Sequence, residues 1–202
     1  FLYVDEDKVG ISLSQYTTLA EMNRIAYVFA AAREVFEECG VLLAGPDEHS
    51  VVQDLSDPSW QEDRTALENH EIAFADMLIL RGLVLRTDLL GLISNFCTPE
   101  FETKRYDTFF FSALMPEGQV ADGETSEAQI ADWVTPAYAM RAGDAGNWLV
   151  LAPTVYNLTC IASAQNAKEF VETRRRLTRF MSYPIKKEDG TLMLHCDFPK
   201  RK

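Results

Sequence analysis

A mixed α/β fold is the architecture this sequence predicts, and three observations point to it. A helical apolar period runs from Thr18 to Glu38. Short apolar runs at Leu89 to Cys97 and Thr108 to Met115 read as buried strands. Helical and strand segments then follow one another without strict alternation, which fits an α+β domain or a three-layer α/β domain. The 202 residues, 47% hydrophobic and 25% charged, suffice for a real core, and a single domain over residues 1–202 is expected.

Taken in order, Thr18 and Glu21 have capping-box spacing at the start of the first helix, and Gly40 is its natural stop. Val41 to Leu43 is expected to be a short buried strand, and Gly45 to Asp57, polar with two prolines nearby, a loop. Ser56 or Asp57 can cap a helix starting near Pro58, with helical spacing to about Leu85 and a break near Asn69. Three consecutive phenylalanines, Phe109 to Phe111, suggest a strand buried on both faces. An acidic loop over Pro116 to Thr125 precedes an expected strand at Ala128 to Val134. Helices are expected at Pro136 to Arg141, Pro153 to Ser163 and Ala167 to Phe180, and an edge strand at Thr191 to Phe198. Trp60, Trp133 and Trp148 are expected in the core.

Acidic residues number 31 against 19 Lys and Arg, a net charge of −12. Nucleic-acid backbones need a basic footprint, so they are excluded as the main partner, and phosphates are expected to be handled through a cation. No apolar stretch reaches the ~20 residues that span a bilayer. Cys39, Cys97, Cys160 and Cys196 are widely spaced without a C-x-x-C pair, which predicts reduced thiols in a cytoplasmic protein. The chain begins at Phe1 rather than Met, so part of the natural N-terminus is expected upstream.

The chemistry concentrates in Arg33-Glu34-Val35-Phe36-Glu37-Glu38-Cys39-Gly40-Val41. On a helix Glu34, Glu37 and Glu38 stand at i, i+3 and i+4, so three carboxylates share one face. They repel one another and oppose the dipole at a helix C-terminus, which calls for a compensating cation. Crowded hard oxygen ligands suit Mg²⁺ or Mn²⁺ rather than zinc. Arg33, four residues before Glu37, is spaced to hold a carboxylate in position.

This string resembles the second half of the Nudix box, G-x5-E-x7-R-E-U-x-E-E-x-G-U with U apolar. A chance match in some 200 windows is on the order of one in 10^5. The first half is absent: Ile25 stands where the pattern has Glu and Leu19 where it has Gly, so that half either lies outside this chain or has diverged. One Nudix subgroup, which includes a peroxisomal coenzyme A diphosphatase and many bacterial relatives, places a long insertion between the two halves. The resemblance to it continues in Arg105-Tyr106-Asp107-Thr108-Phe109-Phe110-Phe111, in the acidic segment Glu127 to Trp133 and in Leu151 to Leu158.

The resemblance implies an α/β/α sandwich with a mixed sheet and an inserted helical segment at about 56–85. It implies metal-dependent hydrolysis of a diphosphate bond in a small nucleoside diphosphate derivative, with coenzyme A or acyl-coenzyme A as candidates. By position Glu37 and Glu38 would be metal ligands, Glu34 a ligand or the general base, and Arg33 the residue that orients a carboxylate. Glu127 is the candidate for an added metal ligand, ahead of Glu124; Arg105 and Asp107 are candidate substrate contacts, with an Arg105–Asp107 ion pair as the plainer reading. Relatives are often homodimers, so a homodimer is a candidate state. A non-catalytic Nudix-like module that senses a nucleotide is the alternative function. The three histidines and the Arg174–Arg176 and Arg179 cluster are expected to be structural.

Overall fold

The computed structural model describes residues 19–122, 132–175 and 178–198. They form two compact units, one of residues 19–90, 113–122 and 132–133, the other of 91–112, 134–175 and 178–198.

In the first unit helix α1 spans Leu19–Cys39 and buries Ala31, Ala32 and Phe36. It stops at Gly40, whose φ of 65° lies in the left-handed region and whose N–H closes on the Phe36 carbonyl at 3.0 Å. The capping-box residue Thr18 lies outside the described residues. Positions 19–32, which the ungapped pattern sets against the first half of the box, are continuous helix.

The apolar run that follows is buried from Val41 to Gly45, but the expected strand over Val41 to Leu43 has no ladder. Only Ala44–Gly45 (β1) pairs, antiparallel to Val84–Leu85 (β2). A side chain replaces the missing strand. Gln119 Oε1 accepts from the Leu42 N–H at 2.9 Å, and its Nε2 donates to the carbonyls of Leu42 at 2.9 Å and Val52 at 2.5 Å.

Asp57 caps helix α2 (Pro58–Glu68), accepting from the Ser59 N–H at 2.9 Å, with Pro58 in the first turn. The break falls at Asn69, and helix α3 covers Phe74–Leu80, ending sooner than expected because Gly82 and β2 follow. Helices α2 and α3 are not an appendage: Leu67, Phe74, Met77 and Leu78 form one cluster with Ala32, Phe36, Leu42 and Ala44.

The second unit is built on strand β3 (Leu90–Cys97), flanked by β4 (Asp107–Ala113) and by β5 (Arg179–Met181), which runs parallel to it. The phenylalanines of β4 are half-buried rather than buried on both faces. An aromatic cluster of Phe96, Phe110, Tyr156, Phe180 and Phe198 holds this unit, with the Phe96–Phe180 centroids 5.0 Å apart. Helices α4 (Pro136–Asp144) and α5 (Ala152–Ala162) form a hairpin, and α6 is confined to Ala167–Glu172. Strands β6 (Tyr183–Lys186) and β7 (Leu192–His195) form an antiparallel ribbon in place of a single edge strand.

Most of the strand expected at Ala128 to Val134 lies outside the described residues, and its last three, from Asp132, carry no strand. Trp60 packs against the first core, but Trp133 is 75% and Trp148 44% exposed, so neither is a core residue.

Candidate active site

The end of α1 positions the acidic string by packing the apolar residues among the acids into two clusters. Phe36 enters the cluster shared with α2 and α3, while Val35 and Cys39 pack against Val41, Leu43 and Leu89. Glu34 and Glu37 are left half-buried and Glu38 exposed. Arg33 donates from Nη2 to Glu34 Oε1, and its Nε stands 3.7 Å from Glu37 Oε1. One guanidinium thus serves two of the three carboxylates.

A second guanidinium comes from α2. Arg64 of α2 is 1% exposed and donates from Nε to the Glu37 carbonyl oxygen at 2.7 Å. Its Nη1 lies 2.9 Å from both carboxylate oxygens of Asp122, and Nε stands 3.8 Å from Glu68 Oε1. The last turn of α1 has no basic residue of its own, so Arg64 supplies the positive charge that its carbonyl end favours. The compensation expected for the crowded acids is therefore met in part by two arginines. Asp122 also donates its N–H to the Cys39 carbonyl at 3.0 Å. Burial first, then the negative charge of Glu38, pushes the Cys39 thiol above its usual range, with Arg64 opposing the shift and Asp122 adding to it.

Beside this clamp is a cavity of about 310 Å³ lined by Phe36, Trp60, Gln61, Arg64 and Gln119. Arg64 Nη2 is buried without a hydrogen-bond partner among the described residues.

Among the described residues no three His, Cys, Asp or Glu side chains are gathered into a metal cage. Mg²⁺ does not need one, since it takes one or two carboxylates and completes its shell with water and substrate phosphates. Glu37 and Glu38 are donors of that type on the last turn of α1, and they fit a hydrated hard cation.

The remaining candidates are not part of this cluster. Glu127 and Glu124 lie outside the described residues. Arg105 and Asp107 belong to the second unit, and the expected pair between them is replaced by other partners. Asp107 stands 3.2 Å from Arg179 Nη2 and accepts from Asn95 Nδ2 at 2.6 Å, while Arg105 donates from Nε to the Thr98 carbonyl at 3.2 Å. Arg175 donates to the Phe170 carbonyl at 2.7 Å and lies over its ring, a structural role at the end of α6.

Arg64, Asp122 and Gln119 were not singled out by sequence reasoning. Arg64 did carry a signal: it stands four residues after Trp60 and three before Leu67, a charge on the apolar stripe of α2. Asp122 and Gln119 lie in a loop and have no such pattern.

An α/β chain ending a helix in Arg-Glu-x-x-Glu-Glu-x-Gly is of the Nudix class, and comparison with known proteins agrees. The model of the NUDT19 Nudix domain matches residues 13–161, and the chain belongs to that family. A Caenorhabditis elegans protein named as nudix hydrolase 7 is 26% identical over 137 residues, 68% of this chain and 44% of the relative. The crystal structure of a NUDIX hydrolase from Alicyclobacillus acidocaldarius aligns with a TM-score of 0.64 at 25% identity, covering 73% of this chain and 66% of that one. The chain therefore spans less than half of the nematode relative and about two thirds of the bacterial one.

Proposed function

We propose that this chain hydrolyses a diphosphate bond in a small nucleoside diphosphate derivative, using Mg²⁺ or Mn²⁺, with coenzyme A or acyl-coenzyme A as the favoured substrate. The observation that carries this reading is the Arg33, Glu34, Glu37, Glu38 cluster at the end of α1 in a chain of the NUDT19 Nudix family. Membership of that family supports the coenzyme A assignment.

When bound, the divalent cation would neutralise phosphate charge and lower the pKa of the attacking water. Glu37 and Glu38 would hold it, with Glu34 and Glu127 as further proposed ligands. Water forms a bond to one phosphorus while the bond from that phosphorus to the bridging oxygen breaks. Glu34 is the proposed base that takes the water's proton, and Arg33 orients it through the contact at Oε1. Arg105 and Asp107 are retained as substrate contacts on the strength of the family-like segment they share.

The two compact units are proposed to be parts of one Nudix-like domain over residues 1–202, because the family match runs through both. No described helix is long and apolar enough to cross a membrane. A cytoplasmic location is supported by four free cysteines. A homodimer without nucleic-acid or membrane partners completes the proposal.

The test is product analysis after incubation with coenzyme A, NADH and ADP-ribose, each with Mg²⁺, Mn²⁺ or chelator. Metal-dependent release of two phosphate-bearing products supports the reading; no turnover by folded protein overturns it. One observation favours a non-catalytic nucleotide-binding module instead. Helix α1 runs unbroken from Leu19 to Cys39, so no described residue ahead of Arg33 forms a glycine loop. A nucleotide that raises Tm without being consumed would support that second reading.

A further inference from the structure

We propose that Arg64 is a positioning residue for the acidic turn, holding Glu37 and Glu38 in their working orientation through the backbone. The inference rests on the reading of that turn as the hydrolytic site and adds to it a residue from α2.

Backbone direction at the end of a helix decides where the last side chains point. At the end of α1 that direction is set by three contacts. Arg64 Nε binds the Glu37 carbonyl at 2.7 Å, the Asp122 N–H binds the Cys39 carbonyl at 3.0 Å, and Arg64 Nη1 joins the two by its 2.9 Å contacts to the Asp122 carboxylate. The loop is closed from α1 through α2 to the 113–122 segment and back to α1.

The fit against Gly40 is tight. A Cβ added at Gly40 would lie 2.6 Å from Asp122 Oδ2 and 3.1 Å from Arg64 Nη1, so the clamp occupies the space a side chain would need. Arg64 itself is fixed by its neighbours on α2, with Leu67 buried to 1% exposure and Glu68 3.8 Å from Nε. The other guanidinium, Arg33, engages carboxylates directly and leaves the carbonyls to Arg64. A planar fork can bridge a carbonyl and a carboxylate at once, whereas an ammonium at the end of a flexible stem cannot hold both at fixed angles. Partners that orient metal-binding side chains from behind typically change metal affinity or activity by about 10–100-fold when removed.

The experiment uses the whole chain and the variants Arg64→Lys, Arg64→Gln and Asp122→Asn. Mn²⁺ binding is measured by calorimetry, kcat and KM are measured on the substrate that the wild type turns over, and folding is followed by circular dichroism. The Asp122 side chain is 38% exposed, so Asp122→Asn loosens the clamp without opening a buried hole and remains informative if the Arg64 variants fail to fold. The expected result is Mn²⁺ affinity weakened by about tenfold or more. It comes with a matching fall in kcat, little change in KM, and no rescue by Arg64→Lys. Folded variants with wild-type Mn²⁺ affinity and kcat but lowered Tm would reduce Arg64 to a structural role and overturn the proposal. Wild-type protein that binds no Mn²⁺ and turns over nothing would overturn the hydrolase reading beneath it, so the two failures are separate.

Discussion

Gln119 and Leu42 form a two-way bond between a side chain and a backbone. The amide oxygen of Gln119 accepts from the Leu42 N–H, and its nitrogen donates to the Leu42 carbonyl, each at 2.9 Å. Leu42 is fully buried, so water cannot take over either group. Replacing Gln119 with Leu should therefore cost about 1–3 kcal/mol, the desolvation penalty of an orphaned polar group. Urea denaturation of the variant against the wild type measures it, and an unchanged midpoint would mean the backbone finds other partners.

Helix α2 carries a second stability prediction. Leu67 is 1% exposed within the cluster that includes Phe36 of α1. Leu67→Ala should cost about 2–5 kcal/mol from lost transfer energy and the cavity left behind. If α2 were peripheral, thermal denaturation would register almost nothing.

Glu38 is exposed and Phe36, two residues earlier, is buried, so chemistry and stability should separate along α1. Glu38→Gln is expected to leave Tm within a degree or two of wild type and to lower kcat by about 10²–10³-fold, the loss of several kcal/mol at a metal-held transition state. A large fall in Tm with kcat retained would reverse the assignment.

Gly40→Ala tests the turn itself. A φ of 65° and a carboxylate oxygen 2.6 Å from the new Cβ both oppose the substitution. A loss of about 1–3 kcal/mol is expected from the backbone alone. Calorimetry is the measurement, and a neutral result would require Asp122 to move aside at no cost.

Asp57 makes helix α2 pH-sensitive. Its carboxyl is held below the usual range, first by the Ser59 side chain and then by the Ser59 backbone N–H. A group with a depressed folded pKa stabilises above its unfolded pKa and loses that contribution as pH falls through the folded value. Stability should therefore drop on acidification below the ordinary carboxylate range. Asp57→Asn, which keeps a capping oxygen but cannot titrate, should make that part of the curve shallower in urea melts taken across pH.

Local signals were the ones the sequence made legible. Gly40 as a helix stop, Asp57 before Pro58 as a cap, the break at Asn69 and the apolar run of β3 all act over a few residues, and each is found where expected. The family-like string at Arg33 to Gly40 was legible for the same reason. What escaped depends on distant partners. Leu42 looked like a strand residue because burial is visible in an apolar run, whereas pairing with Gln119, 77 positions away, is not. Asp107 has Asn95 and Arg179 as partners rather than its near neighbour Arg105, because the parallel pairing of β3 with β5 brings those residues together. Trp133 and Trp148 stand exposed, since size and apolar character alone do not decide burial.

The Arg64 clamp also bears on how segments of this chain can be exchanged. A graft that carried only the nine residues from Arg33 to Val41 into a relative would transfer every matched letter of the box. It would leave behind the fork on α2 and the carboxylate at Asp122 that grip its backbone. On the Arg64 proposal the unit to exchange is discontinuous: the acidic turn, the helix bearing Arg64 and the loop bearing Asp122 are to be moved together.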